Sequence, residues 1–298
     1  MRIGIHTSIA GSLDKAAVRA AELGANTFQI FSASPRMWRA RPPTREEVRR
    51  MREAREKFGL APLVVHDNYL INLAAPDEAL RRKSVAAFRA EIQRAVALGA
   101  EYLVAHPGSA KGRPLEEALE RAARSLVEAA RELPADGLAL LIENTAGQGS
   151  ALGSRFEELA EIRRLAQEEV EFEIGYCLDT AHCLAAGYDV ATAAGLRRTL
   201  REAEAALGLD RVHVIHANDS KAPLGSRVDR HEHIGAGHIG DDGFRRILRS
   251  RKLRAKPFVL ETPVEEEGDD RRNVEKLKQL CRRPPTITAS SSRSGRRG

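Results

Sequence analysis

Apolar residues in this chain fall in short unbroken runs, separated by longer stretches with helical periodicity. About eight runs stand out, near residues 3–6, 27–31, 62–66, 101–106, 138–143, 173–179, 211–216 and 257–261, each bounded to within ~3 residues. Runs that are apolar throughout, rather than alternating, suit strands covered on both faces. A short unit also repeats: a helix closing on a hydrophobic residue and glycine, then a strand, then a polar residue. Its copies are AAELGANTFQIFS, REKFGLAPLVVHD, AVALGAEYLVAHP and AALGLDRVHVIHA. Gly24, Gly59, Gly99 and Gly208 fit the left-handed position that stops a helix. Thr44-Arg45-Glu46-Glu47, after Pro42-Pro43, matches a capping box and so a helix start. Eightfold alternation of strand and helix predicts an α/β fold of the (β/α)8 TIM-barrel type. The alternative is a doubly wound open sheet. It would not bring many strand ends to one focus, and no GxGxxG follows the first run.

Six of the runs close on a metal-binding side chain: His66, His106, Glu143, Asp179, His216 and Glu261. In a parallel barrel, the C-terminal strand ends share one face. A single His or Asp at a strand end is most often a satisfied polar group. Six at the same point of the pattern are hard to explain as packing, because buried imidazoles and carboxylates are costly unless paired or coordinated. Loop residues extend the set. His182 follows Asp179 in DTAH, and Asp229 and His231 lie in SRVDRHEHIG. Positions two apart face one way on an extended strand, so Asp229 and His231 can share an ion. Gly225, Gly235, Gly237 and Gly240 around them suggest a loop able to fold over the site. His6 ends the first run and can stand behind the ligands as a donor. His213, three residues from His216, is expected outside the barrel, and no role is assigned to His233 or His238. Cys177 reads as a small buried hydrophobe. Five histidines and four carboxylates without thiolate suit Zn2+, with Mn2+ or Fe2+ as substitutes. Nine donors divide among three ions if one carboxylate bridges two.

Composition narrows the setting. The chain has 298 residues, 42% hydrophobic and 30% charged, with no apolar run long enough to span a membrane. MRIGIHTSIAG does not read as a signal peptide, and three cysteines give no disulfide framework. A cytoplasmic location and no membrane partner are therefore expected. Of the net charge of +6, five arginines lie in residues 282–298, leaving the rest at +1. The high isoelectric point is thus no argument for nucleic acid. A barrel domain is expected over 1–281, and the Ser-, Pro- and Arg-rich 282–298 as a disordered basic tail.

Two loops carry a different chemistry. FSASPRMWRARPPTR sets Arg36, Arg39, Arg41 and Arg45 around Trp38, and HDNYLINLA exposes Tyr69 and Leu70. The plain reading is a solvated loop and a capped barrel rim. The functional one is a DNA-facing surface, with arginine on phosphates and grooves and apolar wedges entering base steps.

The segments HDNYLINLA, HPGS, ENTAGQGS, DTAHCLAAGYD, HANDSK, GSRVDRHEHIGAGHIG and LETP together resemble endonuclease IV, the zinc-dependent apurinic/apyrimidinic endonuclease family. The resemblance runs from the first strand to about residue 263. It implies three zinc ions per chain. His66 and His106 would hold one, and Glu143 would bridge it to a second completed by Asp179, His216 and Glu261. His182, Asp229 and His231 would hold the third. It implies catalytic roles for Glu143 and Glu261, and DNA contacts by Arg36, Tyr69 and Leu70. The implied reaction is hydrolysis on the 5′ side of an abasic site in double-stranded DNA, leaving a 3′-hydroxyl and a 5′-deoxyribose phosphate. A monomer is expected. Family members often carry Gln where this chain has Met37, which touches groove contacts and not the chemistry. Two other readings are a sugar isomerase or epimerase on the same barrel and a non-catalytic damage-binding protein. The first does not need His66, His106, His182, Asp229 and His231 together. The second is at odds with a complete ligand set.

Overall fold

The structure is a computed structural model, and it describes residues 1–282. Apart from Arg282, the tail expectation falls outside the described residues. Eight parallel strands close a barrel: β1 (Arg2–His6), β2 (Thr27–Phe31), β3 (Leu63–His66), β4 (Tyr102–Ala105), β5 (Ala139–Glu143), β6 (Ile174–Asp179), β7 (Val212–His216) and β10 (Pro257–Leu260). Their order around the barrel is β1-β10-β7-β6-β5-β4-β3-β2. A separate antiparallel pair, β8 (Asp219–Ser220) and β9 (His231–Glu232), sits in the long connection after β7. Helices α1 (Leu13–Glu22), α2 (Arg45–Phe58), α3 (Glu78–Ala97), α4 (Leu115–Ala130), α5 (Phe156–Ala166), α6 (Thr180–Ala186), α7 (Ala193–Ala206), α8 (Gly240–Arg249) and α9 (Asp269–Cys281) alternate with the barrel strands. Closure rules out the open sheet. α2 begins with the full capping box of Thr44 and Glu47, and it ends on Gly59 at φ 63°. Among the described residues, no helix is long and apolar enough to cross a membrane.

The two-residue period of a strand explains why the site lies where it does. Outward positions such as Phe28, Leu63, Leu103 and Phe258 pack under the helices in the large core. Inward positions form a second, smaller cluster of Val64, Val104, Ala139, Leu141, Cys177, Val214 and Val259. Two residues on from six of these stand His66, His106, Glu143, Asp179, His216 and Glu261. The barrel interior therefore supplies an apolar floor beneath a ring of metal-binding groups. Cys177 is part of that floor, and burial pushes its thiol well above the ordinary range.

One expectation fails. His213 is not outside the barrel. The β6–β7 register slips between Tyr176 and Cys177, which pair with Val212 and Val214, so His213 is an inserted residue. Its ring stacks on Tyr102 at 5.5 Å, bonds Glu173 at 2.8 Å, and occupies the space a Cβ on Gly175 would need. Simple alternation misplaces it because a bulge breaks the period.

Candidate metal centre

Each expected metal-binding residue reaches one cluster at the C-terminal mouth of the barrel. Among the described residues, potential ligand atoms lie within 4.8 Å of one another in the groups His66–His106–Glu143, Glu143–Asp179–His216–Glu261 and Asp179–His182–His231. Glu143 joins the first two groups. Its Oε2 lies 3.1 Å from His66 Nε2 and 3.5 Å from His106 Nε2, while Oε1 lies 2.8 Å from His216 Nδ1. Asp229 joins the third group, with Oδ1 3.2 Å from His182 Nε2 and 3.6 Å from His231 Nε2. Asp179 stands between the second and third groups. The seven-residue α6 accounts for this: Asp179 caps it by accepting the His182 N–H at 2.7 Å, which turns His182 back over the strand end.

The donor set fits cations on geometric grounds. Backbone carbonyls fix three imidazoles: Nδ1 of His66 meets Asp67 O at 2.9 Å, Nδ1 of His182 meets Asn144 O at 2.9 Å, and Nδ1 of His231 meets Glu261 O at 3.0 Å. Carbonyls accept, so each Nδ1 carries the proton and each Nε2 of a neutral ring presents a lone pair. The Nε2 atoms of His182 and His231 are buried without a hydrogen-bond partner. Lone pairs facing carboxylate oxygens repel unless a positive charge lies between them. In the metal-free chain a proton supplies that charge at His66 and His182. Burial opposes it, yet Asp67 and Glu143 hold His66 well above the usual imidazole range, and Asp179 and Asp229 do the same for His182. The carboxylates answer. Burial works against their charge, but the neighbouring imidazoles hold Glu143 well below the carboxylate range and bring Glu261 and Asp229 to about 2.

Several amides around this cluster, Gln29 and Asn218 buried and Gln148 exposed, were not singled out from the sequence. Gln29 donates to Glu261 Oε1 at 2.6 Å, and its own Oε1 lies 2.8 Å from His216 Nε2. Asn218 donates to Asp179 Oδ2 at 2.5 Å and accepts the Glu261 N–H at 2.7 Å. Gln148 accepts the Asp229 N–H at 3.0 Å. The readable signal was a lone polar residue at an inward position of TFQIF. His6 does stand behind the ligands, 3.0 Å from Gln29 and 4.0 Å from Glu261. Burial lowers its pKa to about 4, with Glu261 opposing and His66 and His216 assisting.

The sequence pattern described as a xylose isomerase-like TIM barrel matches residues 17–283. A protein of Solibacter usitatus named "Probable endonuclease 4" is 60% identical over 281 residues, covering 94% of this chain and 97% of its own. One of the same name from Chloroflexus aurantiacus is 42% identical, covering 94% and 98%. The crystal structure of endonuclease IV from Thermus thermophilus superposes with a TM-score of 0.83 at 41% identity, covering 94% of this chain and 98% of that one. The chain belongs to the endonuclease IV family. A D-tagatose 3-epimerase-like structure, at TM-score 0.69 and 21% identity over 94% and 97% of the two chains, shares the fold alone.

In this endonuclease IV chain, a cavity of about 700 Å³ runs from Tyr69 over His66, His106 and His182 to Glu261. Tyr69 is 72% exposed at its rim, with its ring edge-on to Phe31 at 5.1 Å, and Arg36 and Met37 are exposed on the neighbouring loop. Leu70 is half-buried. Trp38 does not project with the arginines: it packs on the core under Lys83, 4.2 Å from its ring. Arg41 is held by Glu47 through two bonds of 2.7 and 2.6 Å. Beneath both loops lies a buried pair on α3, Glu91 and Arg94, 2.8 Å apart. Ser32, at the root of the Arg36 loop, bonds both of them, and Asn68, at the root of the Tyr69 loop, reaches Glu91 at 3.4 Å. The loops carrying Arg36 and Tyr69 thus share one hydrogen-bonded footing on α3.

Proposed function

We propose that this protein is a zinc-dependent DNA-repair endonuclease. It hydrolyses the phosphodiester on the 5′ side of an abasic site in duplex DNA, leaving a 3′-hydroxyl and a 5′-deoxyribose phosphate. The observation carrying this reading is the complete cluster of nine donors in a chain whose full-length relatives bear the name endonuclease 4. His66 and His106 would hold one zinc, with Glu143 shared to a second that Asp179, His216 and Glu261 complete; His182, Asp229 and His231 would hold the third. Zinc there supplies Lewis acidity and brings the pKa of water it binds down toward ~7.

The chain's own residues do the remaining work. Burial opposes the charge of Glu261, but His216 and the other neighbouring imidazoles keep Glu261 ionised, so its carboxylate can orient the attacking water or accept its proton. Gln29 and Asn218 fix its two oxygens by donating to them. Glu143, fully buried, ties the metal positions together from below. The apolar floor of Val64, Val104, Leu141, Val214 and Val259 lowers the local dielectric and strengthens each of these contacts. Tyr69 and Leu70 hold the duplex open at the rim while the abasic sugar enters, which costs less than extruding a paired nucleotide. Arg36 meets the backbone beside them. A sugar epimerase would use the Glu143–Asp179–His216–Glu261 group alone. It leaves unexplained why His182, Asp229 and His231 converge.

The test is incision of an end-labelled duplex carrying one abasic site, with intact duplex and free ketose as controls. Incision at that site alone, with an extendable 3′ end, is expected. Turnover of the ketose with no incision would overturn the reading.

A further inference from the structure

Asp219 is fully buried yet touches none of the nine donors. Its carboxylate is spent on backbone. Oδ1 accepts the N–H groups of Ser220 at 2.8 Å and Ile239 at 2.9 Å; Oδ2 accepts those of Gly235 at 2.9 Å, Gly237 at 3.1 Å and Gly240 at 3.2 Å. Five donors from a stretch of 21 residues converge on one side chain. The glycines of HIGAGHIG make the approach possible. A Cβ on Gly237 would lie 2.5 Å from Oδ1 and 2.4 Å from Ser220 O. Three of the four glycines expected to give a loop that folds over the site instead wrap a fixed anion.

This clasp stands at the base of the β8–β9 hairpin. Ser220 pairs with His231, Lys221 N–H donates to Arg230 O at 2.9 Å, and His238 N–H donates to Ser220 O at 2.8 Å. The hairpin carries Asp229 and His231 out and back across the barrel mouth. Their opposite numbers, Asp179 and His182, come from β6 and α6. The third cluster is therefore built from two separate elements, and one of them is the long connection after β7, whose tip from Gly225 to Arg230 is largely exposed. We propose that Asp219 is a positioning residue. Its five-fold clasp holds the hairpin in register, so that Asp229 and His231 meet His182 in the geometry that takes an ion. The inference rests on the three-ion reading above and assigns the third ion's affinity to a carboxylate that never touches it.

The test is Asp219→Asn in the full chain. The amide keeps the shape but turns one acceptor into a donor facing two or three N–H groups. Partners that bond metal ligands directly are worth about 10–100-fold in metal affinity; Asp219 acts one step further out, through the hairpin, so a loss toward the lower end of that range is expected. At a free zinc level that fills the wild type, the variant should lack one ion, and raised zinc should restore both that ion and single-turnover cleavage. A merely structural role would lower the melting temperature, with activity lost alongside the folded fraction and no rescue by zinc. That outcome overturns the proposal, as does a full ion count with wild-type zinc dependence. Asn218 precedes Asp219 and serves the other ions, so Gly237→Ala supplies a second route: it pushes the loop off an intact Asp219 and should give the same zinc-dependent loss. If Asp219→Asn does not fold, Gly237→Ala alone decides. A wild type that never holds a third ion overturns the three-ion reading itself, and is distinguishable from three ions held equally by wild type and variants, which overturns only the role of Asp219.

Discussion

Glu261→Gln separates charge from shape at the centre of the site. Both Glu261 oxygens accept from side-chain amides, Gln29 at 2.6 Å and Asn218 at 3.3 Å, and Oε2 lies 3.3 Å from His216 Nδ1. A glutamine must present an NH2 group to one of these donors. Gln29 cannot simply flip to accept, because its own Oε1 is engaged by His216 at 2.8 Å. One buried donor is left unmatched, which costs ~1–3 kcal/mol of stability. The lost negative charge weakens the hold on the second metal position and on the attacking water; by analogy with losing one electrostatic transition-state contact, a loss of ~100-fold or more in turnover is expected. DNA binding persists, since Arg36, Tyr69 and Leu70 do not touch Glu261 in this account. The assay is single-turnover incision of an abasic duplex, with binding and metal content measured on the same preparation. A near-wild-type rate with full metal content would refute a role for Glu261 at the reactive centre.

Tyr69→Ala with Leu70→Ala should weaken binding to abasic duplex by ~1–3 kcal/mol, with little change on intact duplex, where phosphate contacts dominate; equal losses on both, measured by titration, would return these residues to the rim. Glu91→Gln breaks the buried pair beneath the Arg36 and Tyr69 loops and should cost about 3–5 kcal/mol in denaturant unfolding, while a loss confined to a few tenths would show that the pair is not what holds them. Lowering the pH from 7 to 5 should release metal. Glu261 and Asp229, near 2, stay ionised over that range, so the competing protons go to imidazoles, His66 and His182 foremost. In metal-free protein the sign reverses for these two. Their raised folded-state pKa gives stability fully present below the unfolded value of ~6.5 and lost as pH rises through the folded one. Elemental analysis after dialysis and melting curves of the chelated protein check the two halves.

The barrel was legible because most strands are nearly continuous apolar runs followed by a hydrophilic residue, broken inside only at Gln29 in β2 and His213 in β7, a pattern that outward packing and an inward floor both enforce. The metal centre was legible for the same reason, since position along the run fixes which way each last residue points. Asp229 and His231 could be paired by spacing alone. His213 could not be placed, because nothing in RVHVIH marks the bulge that turns it inward. Gln29, Asn144 and Asn218 stayed hidden because a single amide has no periodicity, and its partners lie 23 or more residues away. The glycines of HIGAGHIG announced unusual backbone without saying what it serves; only Asp219 Oδ1 and Oδ2 supply the reason. The stretch around Trp38 reads equally as a solvated loop or a DNA-facing surface, yet Trp38 packs on the core under Lys83 and anchors the loop.

The central claim is that nine side chains from separate strands and loops hold a set of metal ions that acts on DNA. Counting zinc by elemental analysis, normalised to active chains by burst titration on abasic duplex, tests it most directly. The account predicts close to three zinc ions per active chain, retained through dialysis without added metal. Two or fewer in fully active protein would contradict it.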